Sequence, residues 1–496
     1  MVNLTSLIKI HARSRPERVA IRYRDRDTTY GMLDRCVERV AAFLSAKGVG
    51  YGDIVAALMK NSPAFIEISL AVSHLGAVFL PINFRLAAAE VADITEDAGA
   101  KLLCVDAEFS GSCPPGLDAW VLSEESQWDA SQMAGERSAP VVAPCTPDSL
   151  FRLMYTSGTT SRPKGVTHSY ENFYWKSAAH VVALGLSRDT RLLVAGPLYH
   201  VGAYDLPGLA VLWTGGMLCL HRDFDPDAIF WSIERDRLNG AWLAPVMTTT
   251  LLSHPSKSKY DRSCLQWVIG GGERTAESRI LEFASVFPRT RYIDAYGLTE
   301  SCSGDTLMEA GFERVKIGSA GRPVSHVSIT IQTEDGRALL AGEEGEICLR
   351  GPKVTKGYWK DPLKTQESFH GDWLRTGDVG YLDADGFLFI TDRKKDMIIS
   401  GGENIASSEI ERVILELPQV ADVAVIGAPD PRWGEKPVAV VVFKPGIDMD
   451  LELLAAHCRT RLGGFKVPRE FIVRQSLPRN PSGKILKREI RKDLLS

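Results

Sequence analysis

The sequence predicts an α/β fold with two unequal domains. The chain has 496 residues, more than a single hydrophobic core usually organises. Apolar strand candidates alternate with helix candidates from Asp53 onward, and after about residue 310 short β-like pieces separated by turn residues replace this alternation. We therefore expect a large N-terminal domain of two α/β subdomains plus a small β-barrel, followed by a smaller α+β domain.

The first α/β stretch has strand–helix–strand order. The segment DIVAALM, from Asp53, is a short apolar strand candidate. Ser62 followed by Pro63 is typical of a helix start, with serine as N-cap and proline at the first helical position. The apolar helix should end near Gly76, and AVFLPI and KLLCV then supply further strands.

The second α/β stretch contains three apolar segments that end in glycine. They are RLLVAG (191–196), QWVIGGG (266–272) and RYIDAYG (291–297). In a parallel sheet, ligands bind at the loops that follow the carboxyl ends of the strands. We therefore expect binding residues at these three strand ends.

The last third of the chain predicts two smaller modules. The segment VSITIQTEDGRALLAGEEGEICLRG has the short strands and turns of a small barrel or sandwich. The segments SEIERVILELPQVADVAVIG and VAVVVFKPG, with the basic tail, predict a compact α+β unit of roughly 100 residues. The natural boundary between the two modules is Asp392 to Asp396.

The composition is that of an ordinary soluble globular protein, with 45% hydrophobic and 24% charged residues. A net charge of −4 gives no global basic field, so nucleic acid is not expected as the main partner. The nine cysteines are scattered and never spaced as CxxC, which argues against disulfides and zinc and favours a reducing compartment. No apolar run reaches about 18 residues, and the N-terminal segment lacks a signal-peptide core. We expect a cytoplasmic protein without a transmembrane segment.

The stretch MYTSGTTSRPKG (154–165) has the composition of a phosphate-binding loop. Backbone amides and hydroxyl groups can surround phosphate oxygens, and Lys164 adds positive charge. A Walker A loop needs lysine followed by serine or threonine, whereas Lys164 is followed by Gly165, so this is a different kind of loop. Taken alone, these residues are equally compatible with a solvated Ser/Thr loop.

Six motifs in order make the chain resemble the adenylate-forming superfamily of acyl-CoA synthetases, luciferases and peptide-synthetase adenylation domains. They are YTSGTTSRPKG, PLYHVGA (197–203), YGLTE (296–300), RTGD (375–378), DRKKDMIISGGENI (392–405) and PRNPSGKILK (478–487). Each motif alone is weak, but six in the same order are specific. The segments GSAGRP, KGYWKDP, KDMIISGGENI and PDPRWGE most resemble bacterial fatty acyl-CoA synthetases and feruloyl-CoA synthetases.

The resemblance implies an ATP-dependent acid–thiol ligase. In the first step a carboxylate attacks the α-phosphate of ATP, giving acyl-AMP and pyrophosphate, and in the second step the thiol of coenzyme A displaces AMP. Two anions meet in the first step, so cations and oriented donors must offset their repulsion. The implied cofactors are ATP, Mg²⁺ and coenzyme A as co-substrate. The implied acid is a hydrophobic fatty acid of medium to long chain or an aryl acid.

The resemblance also implies the roles of the nucleotide-binding residues. Glu300 would be the magnesium ligand, because Mg²⁺ prefers hard oxygen ligands, and Thr299 would hydrogen-bond the α-phosphate. Tyr296 would stack on adenine, Asp378 would accept from the ribose hydroxyls, and Arg393 would donate to ribose or phosphate. The implied ATP-binding set is Thr156, Ser157, Gly158, Thr159, Thr160, Lys164, Gly271, Gly272, Glu273, Asp294, Tyr296, Gly297, Asp378 and Arg393. A core aromatic for Tyr296 and a boundary salt bridge for Asp378 and Arg393 are the structural alternatives.

Lys484 is the implied catalytic cation of the first step, on a loop that reaches the carboxylate as charge develops. A solvated basic tail is the alternative, which fits Lys487, Arg488 and Arg491 better than Lys484. Since Lys484 would obstruct the second step, the resemblance implies that residues 396–496 turn relative to residues 1–392 about a hinge at 393–395, with Lys395 as the hinge position. The residues that would then face coenzyme A are Gly401, Gly402, Trp433, Phe465 and Lys466. Packing in the domain core is the alternative for the two aromatic residues, and a solvated amine is the alternative for the lysine.

The acyl side of the site is implied by the PLYHVGA motif and the glycine-rich strand ends. His200 would shield or orient the carboxylate. The acyl-pocket candidates are mostly small or apolar: Val201, Ala203, Tyr204, Gly270, Gly271, Ser301 and Cys302. No motif-borne arginine is committed to a second carboxylate, although Arg274 is unusual.

Two segments depart from the family pattern. Ser161 replaces a glycine of the phosphate loop, and Ala406 and Ser407 replace the usual Tyr-Pro after GGENI. Neither change removes a charged catalytic group. The rival interpretations are an adenylation enzyme that loads a carrier protein, a luciferase-like oxygenase and a nucleotide-binding regulator. The sequence leaves open whether the protein forms a homodimer or contacts a membrane surface.

Overall fold

Four β-sheets organise the part of the chain that the computed structural model describes. The described residues are 3–125, 129–134, 138, 140–156, 163–272, 275–394, 396–400, 403–447, 449–480 and 484–495. Within these ranges every helix is too short or too polar to cross a membrane.

The first α/β subdomain is built on a six-stranded sheet. The elements up to its last helix are α1 Leu4–Ser14, β1 Val19–Tyr23, β2 Arg26–Thr29, α2 Tyr30–Ala46, β3 Ile54–Leu58, α3 Pro63–His74, β4 Val78–Ile82, α4 Ala88–Ala98, β5 Ala100–Asp106, β6 Asp118–Leu122, α5 Ser131–Ala134, β7 Leu150–Thr156, β8 Lys164–Ser169 and α6 Tyr170–Leu184. The strand order is β6-β5-β3-β4-β7-β8, parallel except for β8. Ser62 caps α3 by accepting from the amide of Phe65, and Pro63 opens the helix, as predicted.

The second α/β subdomain is built on a nine-stranded sheet. Its further elements are β9 Arg191–Val194, α7 Leu209–Thr214, β10 Met217–Leu220, α8 Pro226–Arg235, β11 Gly240–Leu243, α9 Pro245–Ser253, β12 Trp267–Gly271, α10 Glu277–Val286, β13 Arg291–Tyr296, β14 Thr306–Leu307 and β15 Arg322–Pro323. The strand order is β15-β14-β13-β12-β11-β9-β10-β1-β2. The early hairpin β1–β2 therefore joins the later sheet, which the sequence did not indicate. The three strand candidates that end in glycine are confirmed as β9, β12 and β13.

The barrel-like module is a five-stranded antiparallel sheet. Its elements are β16 Ser328–Gln332, β17 Gly345–Arg350, α11 Pro362–Glu367, β18 Phe369–His370, β19 Trp373–Leu382 and β20 Leu388–Arg393. The order is β16-β17-β19-β18, with β20 paired to β19. This register places Asp378 opposite Arg393, the first residue of the predicted hinge.

The C-terminal module is the expected α+β unit. Its elements are β21 Ile398–Ser400, β22 Glu403–Ile405, α12 Ser407–Leu415, β23 Val420–Asp430, β24 Gly434–Phe443, α13 Leu451–Arg461, β25 Glu470–Val473 and α14 Lys487–Leu495. Alternate residues of β23 face opposite sides, so that Val423 packs with α12 and α13 and Ala424 packs with α14. The predicted fold class is confirmed; the boundaries 1–392, 393–395 and 396–496 stay predictions.

Candidate active site

Three residues predicted to bind the nucleoside converge where the second α/β sheet meets the barrel-like sheet. The Tyr296 hydroxyl, at the end of β13, donates to Oδ2 of Asp378 at 2.8 Å. Arg393 Nε lies 3.2 Å from Asp378 Oδ1. Burial and the neighbouring Asp378 carboxylate raise the pKa of Tyr296 well above its usual value, so the phenol keeps its proton and can donate.

Glu300 lies beside this group on a short helical turn, Thr299–Ser301. Its Oε1 accepts from the hydroxyl of Tyr358 at 3.0 Å. Burial raises the pKa of Glu300, and the nearby Asp378 carboxylate adds to this effect. Among the residues that the structure describes, no lysine or arginine forms an ion pair with Glu300. A largely buried carboxylate without a protein counter-ion fits a Mg²⁺ ligand, since a hard divalent cation supplies the missing positive charge.

A buried network of hydrogen-bonded side chains holds the backbone carbonyl of Thr299. Nε2 of His168, on β8, contacts the Thr299 carbonyl oxygen at 2.7 Å, and Nδ1 accepts from Arg152 Nε at 3.1 Å. Arg152 in turn forms a bidentate ion pair with Asp205, at 2.6 and 2.8 Å. Burial and Arg152 lower the pKa of His168 well below its usual value, so the neutral ring is fixed with its proton on Nε2. The sequence did not point to this network, because Arg152, His168 and Asp205 lie outside the six motifs, in separate segments of the chain.

The predicted phosphate loop is described only at its two ends. Thr156 ends β7 and Lys164 begins β8, and the two residues pair across the antiparallel strands. Burial and the repulsion of Lys364 lower the pKa of Lys164, although Asp361 opposes them. Several predicted residues lie outside the described ranges: Ser157, Gly158, Thr159, Thr160, Ser161, Glu273, Arg274, Lys395, Gly401 and Gly402.

The glycine-rich strand ends lie next to this site. Gly271 ends β12 opposite Ala295, and Gly272 has a φ of +95°, which favours glycine. Asp294 is buried on β13. A side chain at Gly297 would place its Cβ 2.3 Å from the Gly304 nitrogen, so the chain can turn here only with glycine.

His200 opens a π-helical segment, Val201–Gly208, and its Nδ1 accepts from the amide of Gly202 at 3.2 Å. Burial lowers the pKa of His200 to about 4, and the positive charges of Arg152 and Lys484 contribute to the decrease while Asp205 opposes it. The structure thus brings Lys484, from the C-terminal module, within electrostatic reach of His200. The amide of Lys484 donates to Asn480 Oδ1 at 2.8 Å.

The acyl-pocket candidates are buried, and several of them already contact other side chains of the protein. Gly270 packs against Tyr292, whose hydroxyl would lie 1.9 Å from an added Cβ. Tyr204 packs edge-on against Phe65, and the Ser301 hydroxyl donates to Asp305. Burial raises the pKa of Cys302 to about 12, so this thiol is protonated. The remaining candidates, Val201 and Ala203, are buried in the π-helical segment.

The candidate coenzyme A residues of the C-terminal module are partly exposed. Trp433 is 40% exposed and Phe465 is 44% exposed. Lys466 forms an ion pair with Glu409 at 2.7 Å and lies 5.6 Å from the Phe465 ring centre. The pairing of Ser400 with Gly434 places Trp433 beside the strand that precedes Gly401. Exposed aromatic side chains near a lysine suit a surface that meets a charged, flexible ligand.

Comparison with known proteins gives a consistent result over nearly the whole chain. The family described as AMP-binding enzyme matches residues 8–359, and the AMP-binding enzyme C-terminal domain matches residues 409–484. A feruloyl-CoA synthase of Amycolatopsis sp. is 38% identical over 97% of both chains. The long-chain-fatty-acid–CoA ligase FadD13 of Mycobacterium tuberculosis is 35% identical over 93% of this chain and 92% of its own.

A solved structure has the same overall fold. The o-succinylbenzoate CoA synthetase MenE of Bacillus subtilis, in complex with its acyl-adenylate intermediate, matches with a TM-score of 0.88 and 31% identity, covering 98% of this chain and 97% of its own. The same enzyme in complex with ATP and magnesium ion matches with a TM-score of 0.86 and 30% identity, covering 99% of both chains.

Proposed function

The chain belongs to the AMP-binding enzyme family and is an AMP-forming acid–thiol ligase, and we propose that its acid substrate is a hydrophobic aryl or fatty carboxylic acid. It converts a carboxylic acid, ATP and coenzyme A into acyl-CoA, AMP and pyrophosphate through an acyl-adenylate. The proposed substrate class is supported by the aryl and fatty acid ligases to which the chain is similar.

We propose that the N-terminal domain binds and orients the nucleotide. Asp378 would accept from the ribose hydroxyls and Arg393 would donate to ribose or phosphate, while Tyr296 would stack on adenine. Glu300 would hold Mg²⁺, which, when bound, neutralises phosphate charge. The fixed orientation of Asp378 between Tyr296 and Arg393 supports these roles, because groups that are already oriented need no reorganisation when charge develops.

The observation that carries the proposal is that the charge of Lys484, from the C-terminal module, reaches the buried ring of His200 and contributes to its lowered pKa. The neutral imidazole and the largely buried carboxylate of Glu300, the proposed magnesium ligand, belong to the N-terminal domain. This arrangement suits the first step, in which a carboxylate must approach the α-phosphate against Coulomb repulsion. His200, with a pKa of about 4, is neutral at pH 7 and would orient the carboxylate without adding charge.

For the second step we propose that the C-terminal module turns about residues 393–395, which removes Lys484 and presents Trp433, Phe465 and Lys466 to coenzyme A. The partial exposure of both aromatic side chains supports this role.

We propose a cytoplasmic location, which is supported by the finding that none of the nine cysteines, all within the described residues, forms a disulfide bond. Homodimer formation and peripheral membrane contact are separate hypotheses, to be tested by sedimentation and by vesicle flotation.

The decisive experiment is a panel of aryl and fatty acids, followed by pyrophosphate release and by coenzyme A-dependent AMP formation. We expect turnover with hydrophobic acids and coenzyme A. Glu300→Ala should abolish pyrophosphate release, and Glu309→Ala, which removes an acid from the exposed pair with Arg322, should leave it unchanged. Turnover only with a phosphopantetheinylated carrier protein would instead favour the carrier-loading alternative, and no turnover with any acid would refute the proposal.

A further inference from the structure

The departure at Ala406 and Ser407 creates a contact across the predicted hinge. Helix α12 begins at Ser407, and its N-cap residue, Ala406, has no side chain that can accept a hydrogen bond. Instead, Oδ2 of Asp392 accepts from the Ser407 amide at 2.6 Å and from the Ser407 hydroxyl at 2.8 Å. A carboxylate is a favourable partner for the free amides and the positive end of a helix N-terminus.

Lys487 extends this contact to the segment that carries Lys484. Its Nζ donates to Ser407 Oγ at 2.6 Å and lies 2.7 Å from Glu411 Oε1. Burial alone would lower the pKa of Lys487, but the carboxylates of Glu411 and Asp392 outweigh burial and raise it, so the ammonium is charged. Lys487 is also the first residue of α14, three positions after Lys484.

We propose that Asp392 is a positioning residue that caps α12 across the hinge and so holds the C-terminal module in the orientation in which Lys484 serves adenylation. This inference rests on the proposed function of Lys484. Asp392 precedes residues 393–395, and Ser407 follows them. A rotation about this segment that displaces Ser407 by a few ångströms breaks both hydrogen bonds, because hydrogen bonds persist only over a narrow range of distances. The cap therefore stabilises one orientation and is absent from the other.

Ser407→Pro tests the cap with little disturbance of the helix. Proline is well tolerated at the first helical position but has no N–H to donate. Ala406 already has φ −70° and ψ 116°, the extended conformation that the residue before a proline adopts. The variant thus removes both donors to Asp392, together with the hydroxyl that accepts from Lys487 Nζ, while the helix keeps a suitable first residue.

The measured quantity is the ratio of the rates of the two half-reactions, adenylation and acyl transfer to coenzyme A. In Ser407→Pro and Asp392→Ala we expect pyrophosphate release in the first turnover to fall about threefold to tenfold, the effect of losing a helix cap. Transfer of the acyl group from supplied acyl-adenylate to coenzyme A should stay equal or become faster. Ser407→Ala keeps the amide donor and should have a smaller effect.

Glu334→Gln is the matched control, because Glu334 pairs with Lys394 beside the hinge from an exposed position in the N-terminal domain. It should leave both half-reactions unchanged. Equal losses in both half-reactions, or no loss in either, would overturn the inference. If the wild-type protein forms no acyl-adenylate with any acid, the proposed function fails. Small-angle scattering then tests separately whether the cap holds the orientation of the C-terminal module. A scattering profile of Asp392→Ala identical to that of the wild type would reject the cap.

Discussion

The two sides of the active site hold their functional residues in different ways. On the nucleotide side, Asp378 is 4% exposed and is fixed by a tyrosine and an arginine from different strands. On the C-terminal side, Trp433 and Phe465 are about ten times more exposed. The difference fits the two proposed tasks. Oriented charges that do not move would serve the nucleotide site, whereas the proposed rotation would let the C-terminal module present different residues in each step.

Of the variants proposed here, Lys484→Ala should have the largest effect, and this effect should be confined to the first half-reaction. We expect acyl-adenylate formation to fall by about 10²–10³-fold, as for the loss of one preorganised donor to developing charge. Thioester formation from supplied acyl-adenylate should continue, because the second step does not use this cation. Pyrophosphate release and thioester formation are measured separately, with Lys492→Ala, an exposed lysine on α14, as control. Equal loss of both steps would contradict the role of Lys484.

Lys395→Pro should affect the second half-reaction, acyl transfer to coenzyme A. Proline fixes φ near about −65° and so restricts the rotation that the hinge position must absorb. We expect adenylation to be spared and coenzyme A-dependent turnover to fall about tenfold. Lys395→Ala removes the same side chain but leaves the backbone free, so it should behave like the wild type. Unchanged coenzyme A turnover in Lys395→Pro would place the pivot elsewhere.

Tyr358→Phe should produce a smaller change, confined to the nucleotide side. It removes the hydroxyl that donates to Glu300, and the free carboxylate should bind Mg²⁺ less favourably. We expect the half-saturating concentration of Mg-ATP to rise roughly fivefold, the effect of losing about 1 kcal/mol. Steady-state kinetics in ATP measure it, with Tyr381→Phe as a second phenol-to-phenyl change. A fall in acyl transfer without a change in the ATP dependence would argue against a role through Glu300.

Sequence motifs indicated the candidate residues of the nucleotide site but not the contacts between them. Asp378 and Arg393 stand in separate motifs, and only the register of β19 with β20 shows that they are opposite each other. The fold class followed from strand and helix periodicity, which is local. The pairing of β1 with β10 depends on long-range packing and left no local signal. Local charge favoured a solvated tail for Lys487, whereas the structure buries it among carboxylates contributed by residues far from it in sequence.

The smallest predicted effect concerns the pH dependence of stability on the N-terminal side. Burial, together with Arg235, lowers the pKa of His221 to about 4, and Nε2 contacts Ser232 Oγ at 3.0 Å. In the unfolded chain this histidine has a pKa of about 6.5. Between these values the unfolded state binds a proton that the folded state does not bind. The free energy of unfolding therefore decreases as the pH falls through this window.

His221→Gln should weaken that dependence, because glutamine can still bond to Ser232 but does not titrate. Urea unfolding at pH 7 and pH 5 should show a smaller loss of stability in the variant, by at most about 2 kcal/mol. Ser232→Ala removes the hydrogen-bond partner but keeps the titrating group, so it should lower stability while retaining the dependence. An equal pH dependence in His221→Gln and the wild type would mean that His221 also binds a proton in the folded protein between pH 7 and pH 5. The second α/β subdomain would then admit a proton to a buried side chain, and the contrast with the exposed aromatic residues of the C-terminal module would be correspondingly weaker.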